Sequence, residues 1–379
     1  MKLIATADWH VHNFQDYSTT KMVAWDRTGL RFKESEGNPE AREMNSRLLG
    51  ILSAICDMRD YAKENQITDI LFAGDLFHKR KTIDITVFNA IYKVLDSFST
   101  LGITLHAIAG NHDQTDSSVN PESALHGLQE LIHVIEKPTY FMIEGQEIVA
   151  IPYSKDKKFV LDSIMKLKSK CKDPNSAILM CHLGIDGGTV GSGMRIMSDD
   201  FTVNELKYNK WKAVVCGHYH QPQFVCGTYN TIYTGSITQN NFGDERPGYN
   251  GFFVLDTSRR WDIRFIQLVA PRFVTVKSTE ELESLSPEFI KSNYIRVVSQ
   301  ADKAGDIQEK LTEILGDDTS SVKLELEKSY NTEQRSDVSV TQSPEEVVKT
   351  YASERWEDKE RLEAVTTVGL EIMQEALTT

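Results

Sequence analysis

The sequence has few cysteines and no long apolar run, and both absences narrow the class of protein. Its 379 residues include five cysteines, none of them in a C-x-x-C pair, so we expect neither a zinc ribbon nor a disulfide framework. No apolar stretch approaches the roughly 18 to 20 residues that a membrane span needs. The opening MKLIATADWH turns polar too early for a signal peptide. We therefore expect a cytosolic protein without a membrane partner.

An excess of basic residues, which is typical of nucleic-acid-binding proteins, is also missing. The formal net charge is -13, but most of the acidic excess lies late in the chain. Residues 272–379 carry 13 Lys and Arg against 23 Asp and Glu, whereas residues 1–271 carry 29 against 32. A nearly neutral first part can still present a local basic face, so the overall charge neither excludes nor supports a DNA partner.

What the sequence does contain is an alternation of strand-like and helix-like patterns. Short apolar runs that predict strands occupy residues 2–8, 69–75, 103–113, 147–153, 176–182 and 212–218. Between the first three runs, residues 43–63 and 82–99 repeat apolar side chains at spacings of three and four, which predicts helices. This alternation predicts an α/β sheet covered by helices, in which chemistry gathers at the carboxyl ends of strands.

Polar motifs stand at five of these predicted strand ends. In chain order they are DWH from residue 8, GD from 74, GNHD from 110, CH from 181 and GHYH from 217. Asp, His and Asn are ligands for manganese, iron or zinc, and no single strand supplies enough of them. We therefore expect a metal site assembled at one edge of one sheet. If the segments are extended, Asp8 and His10 point to one side, as do His218 and His220.

Each motif taken alone has an ordinary structural explanation. An isolated D-x-H or H-x-H is most often a surface pair or a buried structural pair, and Asn and Asp suit common turns. All five motifs in order, each after an apolar run, favour a metal centre. By contrast His12, His106, His126 and His133 have no such placement, and we interpret them as structural.

These motifs resemble the ordered signature of the calcineurin-like metallophosphoesterases, D-x-H, G-D, G-N-H-(D/E), H and G-H-x-H. Within that family the chain is similar to SbcD-type DNA nuclease subunits of cells and bacteriophages, which act with an SMC-like ATPase in double-strand-break processing. GDLFHKR, from Gly74, stands where protein phosphatases have G-D-x-x-D-R-G, and GNHD replaces their GNHE. The motifs cover residues 1–270. Beyond residue 270 only the order of the domains resembles the family. The resemblance implies that the protein is located in a bacterial cytoplasm or in the cytoplasm of a phage-infected host.

The resemblance implies two divalent ions, expected to be Mn²⁺. The first ion would be held by Asp8, His10, Asp75 and His220, and the second by Asp75, Asn111, His182 and His218. Asp75 would bridge the ions, which lower the pKa of a water so that it attacks phosphorus. His112 would stabilise the charge at phosphorus or protonate the leaving O3′, and Asp113 would orient His112. His78 matches a histidine that the nuclease branch associates with exonuclease action.

The fold implied by the resemblance is α/β, a four-layer metallophosphoesterase β-sandwich flanked by helices. The expected domains are a nuclease domain over 1–270, a small α/β capping domain that guides DNA over 271–330, a linker over 331–342 and a helical segment over 343–379. The sequence agrees that residues 294–300 and 321–328 are strand-like and that Ser343-Pro344 starts a helix. The last segment either packs on its own domain or docks on the coiled coil of an SbcC-type ATPase, which the likeness favours.

The expected activity is that of a manganese-dependent DNA nuclease subunit of an SbcCD-like complex. It would be a 3′ to 5′ exonuclease on duplex ends and an endonuclease on single strands, in DNA recombination, repair or replication. Two alternatives stay open. One is a small-substrate or cyclic-nucleotide phosphodiesterase of the same superfamily, and the other is a non-catalytic architectural subunit that recruits an ATPase to DNA ends.

Three further expectations concern contacts with partners. Lys79, Arg80 and Lys81 are candidate DNA contacts, or else a solvated run of charges. Residues 13–42 form a long insertion that is either a packed surface loop or a further DNA contact. A homodimer is expected, for which helices at 82–99 and 121–135 would offer an interface.

Overall fold

A computed structural model describes residues 1–116, 118, 121–190, 201–246, 248, 250–258, 261–299, 304–316, 321–326, 344–355 and 358–378. Its strands are β1 (Lys2–Thr6), β2 (Thr20–Asp26), β3 (Arg31–Glu34), β4 (Arg42–Asn45), β5 (Asp69–Phe72), β6 (Thr104–Ile108), β7 (His133–Ile135), β8 (Thr139–Ile143), β9 (Gln146–Ile151), β10 (Ile178–His182), β11 (Ala213–Gly217), β12 (Gln223–Phe224), β13 (Thr231–Tyr233), β14 (Gly251–Asp256), β15 (Asp262–Gln267), β16 (Phe273–Val276), β17 (Tyr294–Ser299) and β18 (Val322–Leu326). Its helices are α1 (Ser46–Glu64), α2 (Ile85–Thr100), α3 (Lys157–Lys168), α4 (Thr279–Glu283), α5 (Pro287–Lys291), α6 (Ala304–Leu315), α7 (Pro344–Arg355) and α8 (Lys359–Thr378). The chain divides into two units, Met1–Leu326 and Glu327–Thr379.

Two six-stranded sheets form the centre of the first unit. The strand order is β15-β14-β1-β5-β6-β7 in the first sheet and β12-β13-β11-β10-β9-β8 in the second. Neighbouring strands are parallel from β1 to β7 in the first sheet, and from β9 to β13 in the second. The expectation that one sheet carries all the motifs is therefore wrong. Three motifs follow strands of the first sheet, and two lie at strand ends of the second.

Apolar side chains on both faces of the parallel strands produce the layers. Buried residues such as Leu71, Ile108 and Met180 fill the space between the sheets. Helices α1 and α2 cover the outer face of the first sheet, and α3 covers the outer face of the second. Strands that are buried on both faces read as continuous apolar runs, which is why they could be found in the sequence. The predicted α/β sandwich flanked by helices is confirmed.

The two predicted helices near the amino terminus begin at capping side chains. The Asn45 carboxamide oxygen accepts two backbone N–H bonds at the start of α1, and the Asp84 carboxylate does the same for α2. The expected helix over 121–135 is wrong. That stretch contains a short 3-10 turn, Ala124–Leu128, and then strand β7. The proposed helical pair for a dimer interface is therefore not formed, and the homodimer stays a prediction without it.

The long insertion after the first motif is folded as a small antiparallel sheet of order β3-β2-β4. Trp25 and Phe32 contact each other edge to face, with ring centroids 4.9 Å apart, and pack against the core of the first sheet. The Arg31 guanidinium lies 2.9 Å from the Asp57 carboxylate and 2.5 Å from that of Asp60, both on α1. Because these aromatic and basic side chains have partners within the chain, the packed alternative describes the insertion better than a DNA contact.

A small α/β portion follows the two sheets within the first unit. Its parallel strands have the order β16-β17-β18, and they share a separate apolar core with α4, α5 and α6. The Phe273 ring lies 4.8 Å from that of Phe242, and the Arg296 guanidinium lies 4.1 Å from the Phe242 centroid. The Thr275 N–H donates to the Glu245 carboxylate at 2.6 Å. These contacts attach the portion to the segment that follows the last motif. The domain bounds at 270 and 330 stay a prediction.

The described residues of the second unit form two helices. Helix α7 begins at Pro344, as the Ser-Pro signal predicted, and α8 begins at Lys359. A Cβ on Gly369 would lie 2.8 Å from Val348 Cγ1, so the two helices pack closely. The predicted linker over 331–342 lies outside the described residues. Among the residues that the structure describes, no helix has both the length and the apolarity of a membrane span.

Candidate metal centre

All seven predicted metal ligands stand at carboxyl ends of parallel strands. Asp8 and His10 follow β1, Asp75 follows β5, Asn111 follows β6, His182 ends β10, and His218 and His220 follow β11. Among the described residues, three groups of possible ligand atoms each lie within 4.8 Å of one another: those of Asp8, His10 and His220, those of Asp8, Asp75 and His182, and those of His10, His78 and His112. The structure thus brings together side chains that are up to 212 positions apart in the sequence, as Asp8 and His220 show.

The backbone at the site passes through the left-handed region. The φ angles are 53° at Asp8, 46° at His10, 60° at Asp75 and 109° at His218. Such angles are uncommon for residues other than glycine, and strained residues of this kind cluster at active sites. The condition that the D-x-H and H-x-H segments are extended is therefore not met at Asp8, His10 and His218. The Asp8 N–H donates to the Gly74 carbonyl at 2.9 Å, so the turn after β1 is fastened to the end of β5.

Two glycines of the motifs are required for close approach. A Cβ on Gly110 would lie 2.2 Å from Asp75 Oδ1, and one on Gly217 would lie 2.3 Å from the Ala73 carbonyl oxygen. Real Cβ contacts are not that short, so a side chain at either position would displace the strand ends. These glycines therefore let neighbouring strand ends touch.

Asp75 occupies the centre of the candidate site. Its Oδ2 lies 3.4 Å from His182 Nε2 and 3.8 Å from His10 Nε2, and its Oδ1 accepts the His112 N–H at 2.7 Å. Burial alone would raise the pKa of Asp75, but the neighbouring His182 and His10 imidazoles hold that pKa well below its usual range. An ionised carboxylate between two ligand sets suits a bridging role.

The second ligand set consists of the residues predicted to hold the second ion, Asp75, Asn111, His182 and His218, and their ligand atoms lie close together. The His182 Nδ1–H donates to the Ala73 carbonyl at 2.7 Å, which leaves Nε2 as the ligand atom of the neutral ring. Asn111 Oδ1 lies 2.9 Å from that Nε2 and 3.1 Å from His218 Nδ1. Burial opposes protonation, yet the Asp75 carboxylate raises the pKa of His182 to about 10. The arrangement favours positive charge at this point, and a divalent cation would supply it.

The first ligand set consists of the residues predicted to hold the first ion, Asp8, His10, Asp75 and His220. Surrounding groups contact its side chains. His10 Nε2 and His220 Nε2 lie 3.0 Å apart, a separation that ligands of one ion can have. Both Asp8 carboxylate oxygens lie 3.1 Å from the His218 N–H, and burial raises the pKa of Asp8 to about 6. The His220 Nδ1–H donates to Asp244 Oδ1 at 2.9 Å. A carboxylate behind a ligating imidazole fixes its tautomer and orientation.

The structure corrects the expected role of Asp113. Its carboxylate accepts the backbone N–H groups of Asp75 at 2.8 Å, of Gly110 at 3.0 Å and of Phe77 at 3.0 Å. No hydrogen bond joins it to the His112 ring among the described contacts. The His112 Nδ1–H instead donates to the His78 carbonyl. Asp113 therefore fixes the loops that carry Asp75, whereas the backbone of His78 orients His112.

A row of stacked imidazoles extends from this point. The His78 ring lies 5.7 Å from that of His112, at 24° between planes, and 5.3 Å from that of His12, at 27°. Burial, with the adjacent His12, lowers the pKa of His78 to about 4. His12 was expected to be structural, but it belongs to this row, and its H-x-H spacing from His10 was the signal available in the sequence.

The other predicted residues lie outside the ligand sets. Lys79, Arg80 and Lys81 are exposed beyond His78. His106 and His133 form a separate cluster, with the two Nδ1 atoms 2.9 Å apart and His106 Nε2 2.8 Å from Asp69. Asp244 was missed by the sequence reasoning, because it follows no apolar run.

Comparison with known families agrees with this geometry. The model of the family described as calcineurin-like phosphoesterase matches residues 1–222, which is more than half of the chain. The chain therefore belongs to the calcineurin-like phosphoesterases, a family of hydrolases that act on phosphoester bonds and use divalent metal ions. The resemblance drawn from the five motifs is confirmed.

The chain is similar to three proteins whose names describe different activities. The chain is 28% identical over 211 residues to "Exonuclease subunit 1" of Enterobacteria phage T4, covering 55% of this chain and 57% of that protein. It is 23% identical over 273 residues to "DNA double-strand break repair protein Mre11" of Archaeoglobus fulgidus, covering 66% and 60%. It is 25% identical over 218 residues to "Probable cyclic nucleotide phosphodiesterase" of Psychrobacter arcticus, covering 50% and 73%. The chain thus spans less than two thirds of the length of the first two relatives.

Proposed function

We propose that this chain is the metal-dependent DNA nuclease subunit of an SbcCD-like complex that acts in DNA recombination, repair or replication. It degrades duplex ends in the 3′ to 5′ direction and cuts single strands internally. The observation that carries the proposal is the clustering of Asp8, His10, Asp75, His182 and His220, with Asn111 and His218 in contact at 3.1 Å and the His112 and His78 imidazoles stacked beside them. The names of the phage T4 and Archaeoglobus fulgidus relatives support DNA as the substrate.

The ligand assignment is the one that the family resemblance implies. Asp8, His10, Asp75 and His220 would hold one ion, and Asp75, Asn111, His182 and His218 would hold the other. These side chains bring carboxylate, amide and imidazole lone pairs together, a donor set for manganese, iron or zinc, and we propose Mn²⁺ because the family resemblance implies it. When bound, the two ions supply an activated water nucleophile and offset the charge of the phosphate.

His112 is the proposed general acid of the reaction. Its Nδ1–H is fixed on the His78 carbonyl, so Nε2 is the ring nitrogen that can face a substrate oxygen. In the protonated ring, Nε2–H stabilises the negative charge that develops at the phosphate and passes its proton to O3′ as the P–O3′ bond breaks. His78 holds the His112 ring by stacking and by its carbonyl. Asp113 acts indirectly, because it positions the loop of Asp75.

The remaining parts of the proposal concern partners. Lys79, Arg80 and Lys81 are exposed next to His78 and would contact the phosphates of the bound strand. The two helices of the second unit expose Tyr351 and Val368, which are 44% and 53% exposed, and we assign them to the coiled coil of an SMC-like ATPase. A homodimer is part of the proposal, with no interface assigned.

Cleavage of DNA tests the proposal directly. End-labelled duplex and circular single-stranded DNA are incubated with wild type, His112→Ser and the matched control His126→Ser, in Mn²⁺, Mg²⁺ or EDTA. His126 is exposed and pairs with Glu136 outside the ligand sets. We expect Mn²⁺-dependent cutting by wild type and His126→Ser, and a loss of about 10²-fold or more in His112→Ser with metal still bound. Absence of cutting by metal-loaded wild type, also with the ATPase partner added, would reject the proposal.

A cyclic-nucleotide or small-substrate phosphodiesterase is the second candidate. The observation that favours it is the relative from Psychrobacter arcticus, of which this chain covers 73%. Hydrolysis of cyclic AMP and bis-p-nitrophenyl phosphate without any DNA cleavage would select this function. A purely architectural subunit is the third candidate, and the complete ligand set argues against it.

A further inference from the structure

A cleft with both polar and apolar lining lies between the first part of the chain and the small α/β portion of the first unit. Its volume is about 350 Å³, and no candidate metal ligand lines it. Tyr17 and Lys21 of the insertion and Ser46 at the start of α1 line it, together with Lys291, Ser292 and Ser321 of the small portion. The volume lies at the lower end of the range for small-ligand sites, so the cleft has the size for a ligand such as a mononucleotide.

The charge of the cleft indicates the sign of its ligand. Lys21 and Lys291 line it, and its described lining includes no Asp or Glu, although the chain has a net charge of -13. Glu34 lies 3.5 Å from the Lys21 ammonium, but both side chains are well exposed, and such surface pairs are weak. Two lysines in the lining without a carboxylate there favour an anionic ligand.

The hydroxyl groups of the cleft indicate a ligand that accepts hydrogen bonds. Tyr17 is 8% exposed, and its hydroxyl is buried with no hydrogen-bond partner, a rare condition in folded proteins. Ser46 Oγ accepts the Thr19 N–H at 2.9 Å, which leaves the Ser46 O–H available as a donor. Phosphate oxygens accept such bonds and carry the charge that the lysines require.

We propose that this cleft binds the phosphate of a mononucleotide-sized ligand. Lys21 and Lys291 pair with the phosphate charge, and the Tyr17 and Ser46 hydroxyls donate to its oxygens. The phosphate belongs either to a free nucleoside monophosphate or to a nucleotide of a DNA strand. Because the two lysines stand on different portions of the first unit, the bound phosphate links those portions. The site is separate from the metal centre and does not depend on the proposed nuclease function.

Binding to the full chain in EDTA tests the proposal, since metal removal prevents phosphate from binding at the metal centre. Isothermal titration calorimetry compares deoxyadenosine monophosphate with deoxyadenosine, for wild type, the Lys21→Gln/Lys291→Gln variant and Tyr17→Phe. The matched control, Lys166→Gln/Lys170→Gln, removes two exposed lysines elsewhere. We expect the monophosphate to bind at least about tenfold more weakly to the lysine variant and about threefold more weakly to Tyr17→Phe. Deoxyadenosine should bind to none of them.

A second titration, with a short single-stranded oligonucleotide, distinguishes the two sources of phosphate. Monophosphate binding that the lysine variant loses supports a free nucleotide. Oligonucleotide binding that only the cleft variants weaken, without monophosphate binding, supports a strand nucleotide. Equal affinity of wild type, cleft variants and control for both probes overturns the proposal. Melting temperatures show whether the variants are folded. If the lysine variant is unfolded, the test relies on Tyr17→Phe, which removes only one oxygen atom.

Discussion

The metal-centre edge of the first unit buries polar side chains, whereas the helices of the second unit expose apolar ones. At the edge, polar residues are inside the protein, and Asp8 and His182 are each 0% exposed. In the second unit, apolar residues face outward, with Tyr351 44% and Val368 53% exposed. Buried charges are costly unless they are paired or coordinate a metal. Burial of exposed apolar groups by a partner lowers the free energy of the complex.

The difference indicates that catalysis and partner binding are carried by separate parts of the chain. At the edge, neighbouring groups orient candidate ligands, as the Asp244 carboxylate orients His220 and the Ala73 carbonyl orients His182. The second unit has no comparable polar cluster among its described residues. Changes at the edge should therefore alter hydrolysis, and changes in the second unit should leave it intact.

The largest effect is expected for Asp75→Asn. The amide keeps the size of the side chain but removes the charge between the two ligand sets, so both ions should bind more weakly. We expect hydrolysis of bis-p-nitrophenyl phosphate in Mn²⁺ to fall by about 10³-fold. Calorimetric titration of Mn²⁺ should show weaker binding, with an unchanged far-ultraviolet circular dichroism spectrum. Full activity would show that Asp75 bridges nothing.

A smaller effect is expected for Gly110→Ala. The added Cβ would lie 2.2 Å from Asp75 Oδ1 and 2.5 Å from the Asp75 backbone nitrogen, so the two loops must separate. We expect about 1–3 kcal/mol less stability in urea unfolding and about 10²-fold less activity, because displaced groups lose alignment.

Gly50→Ala is the matched control for that substitution. Gly50 lies in α1, and a Cβ added there would meet no atom within 4 Å, so alanine at this position should stabilise the protein by about 0.5–1 kcal/mol. Its activity should stay at the wild-type level. Equal stability of the two variants would mean that the strand ends are not closely packed.

The third effect is expected for Asp244→Asn. The Asp244 carboxylate raises the pKa of His220 to about 9 although burial opposes it, so it makes that imidazole more basic. An amide keeps a hydrogen-bond acceptor but loses the charge, and we expect Mn²⁺ affinity or activity to fall about 10 to 100-fold. Asp262→Asn, at an exposed position of β15, is the control. A normal Mn²⁺ titration of Asp244→Asn would contradict the role of Asp244.

The candidate ligands could be selected from the sequence because each one stands at the end of an apolar run. The expectation of a single sheet was wrong because β1 and β10 have the same apolar pattern although they lie in different sheets. Asp244 was not found because it stands in a short 3-10 turn, Phe242–Asp244, without a strand before it. Its position depends on a tertiary contact with His220, which no local pattern encodes.

The wrong helix over 121–135 has a similar cause. Leu125, Leu128 and Ile132 recur at spacings of three and four and are buried, as they would be in a helix. The pairing of His133–Ile135 with β6 nevertheless makes the end of this stretch a strand, because tertiary contacts override local periodicity. The left-handed angles at Asp8 and Asp75 are likewise set by contacts between strand ends.

The smallest effect on hydrolysis is expected when the chain is ended after Leu326. The first unit, Met1–Leu326, contains both sheets and all seven candidate ligands, so hydrolysis of bis-p-nitrophenyl phosphate should change by less than about twofold. Pull-down with an SMC-like ATPase should fail for the shortened chain and succeed for the full chain. Tyr351→Ser/Val368→Ser in the full chain should weaken the same interaction, because these side chains are exposed. Loss of small-substrate hydrolysis in a folded shortened chain would show that catalysis and partner binding are not carried by separate parts of the chain.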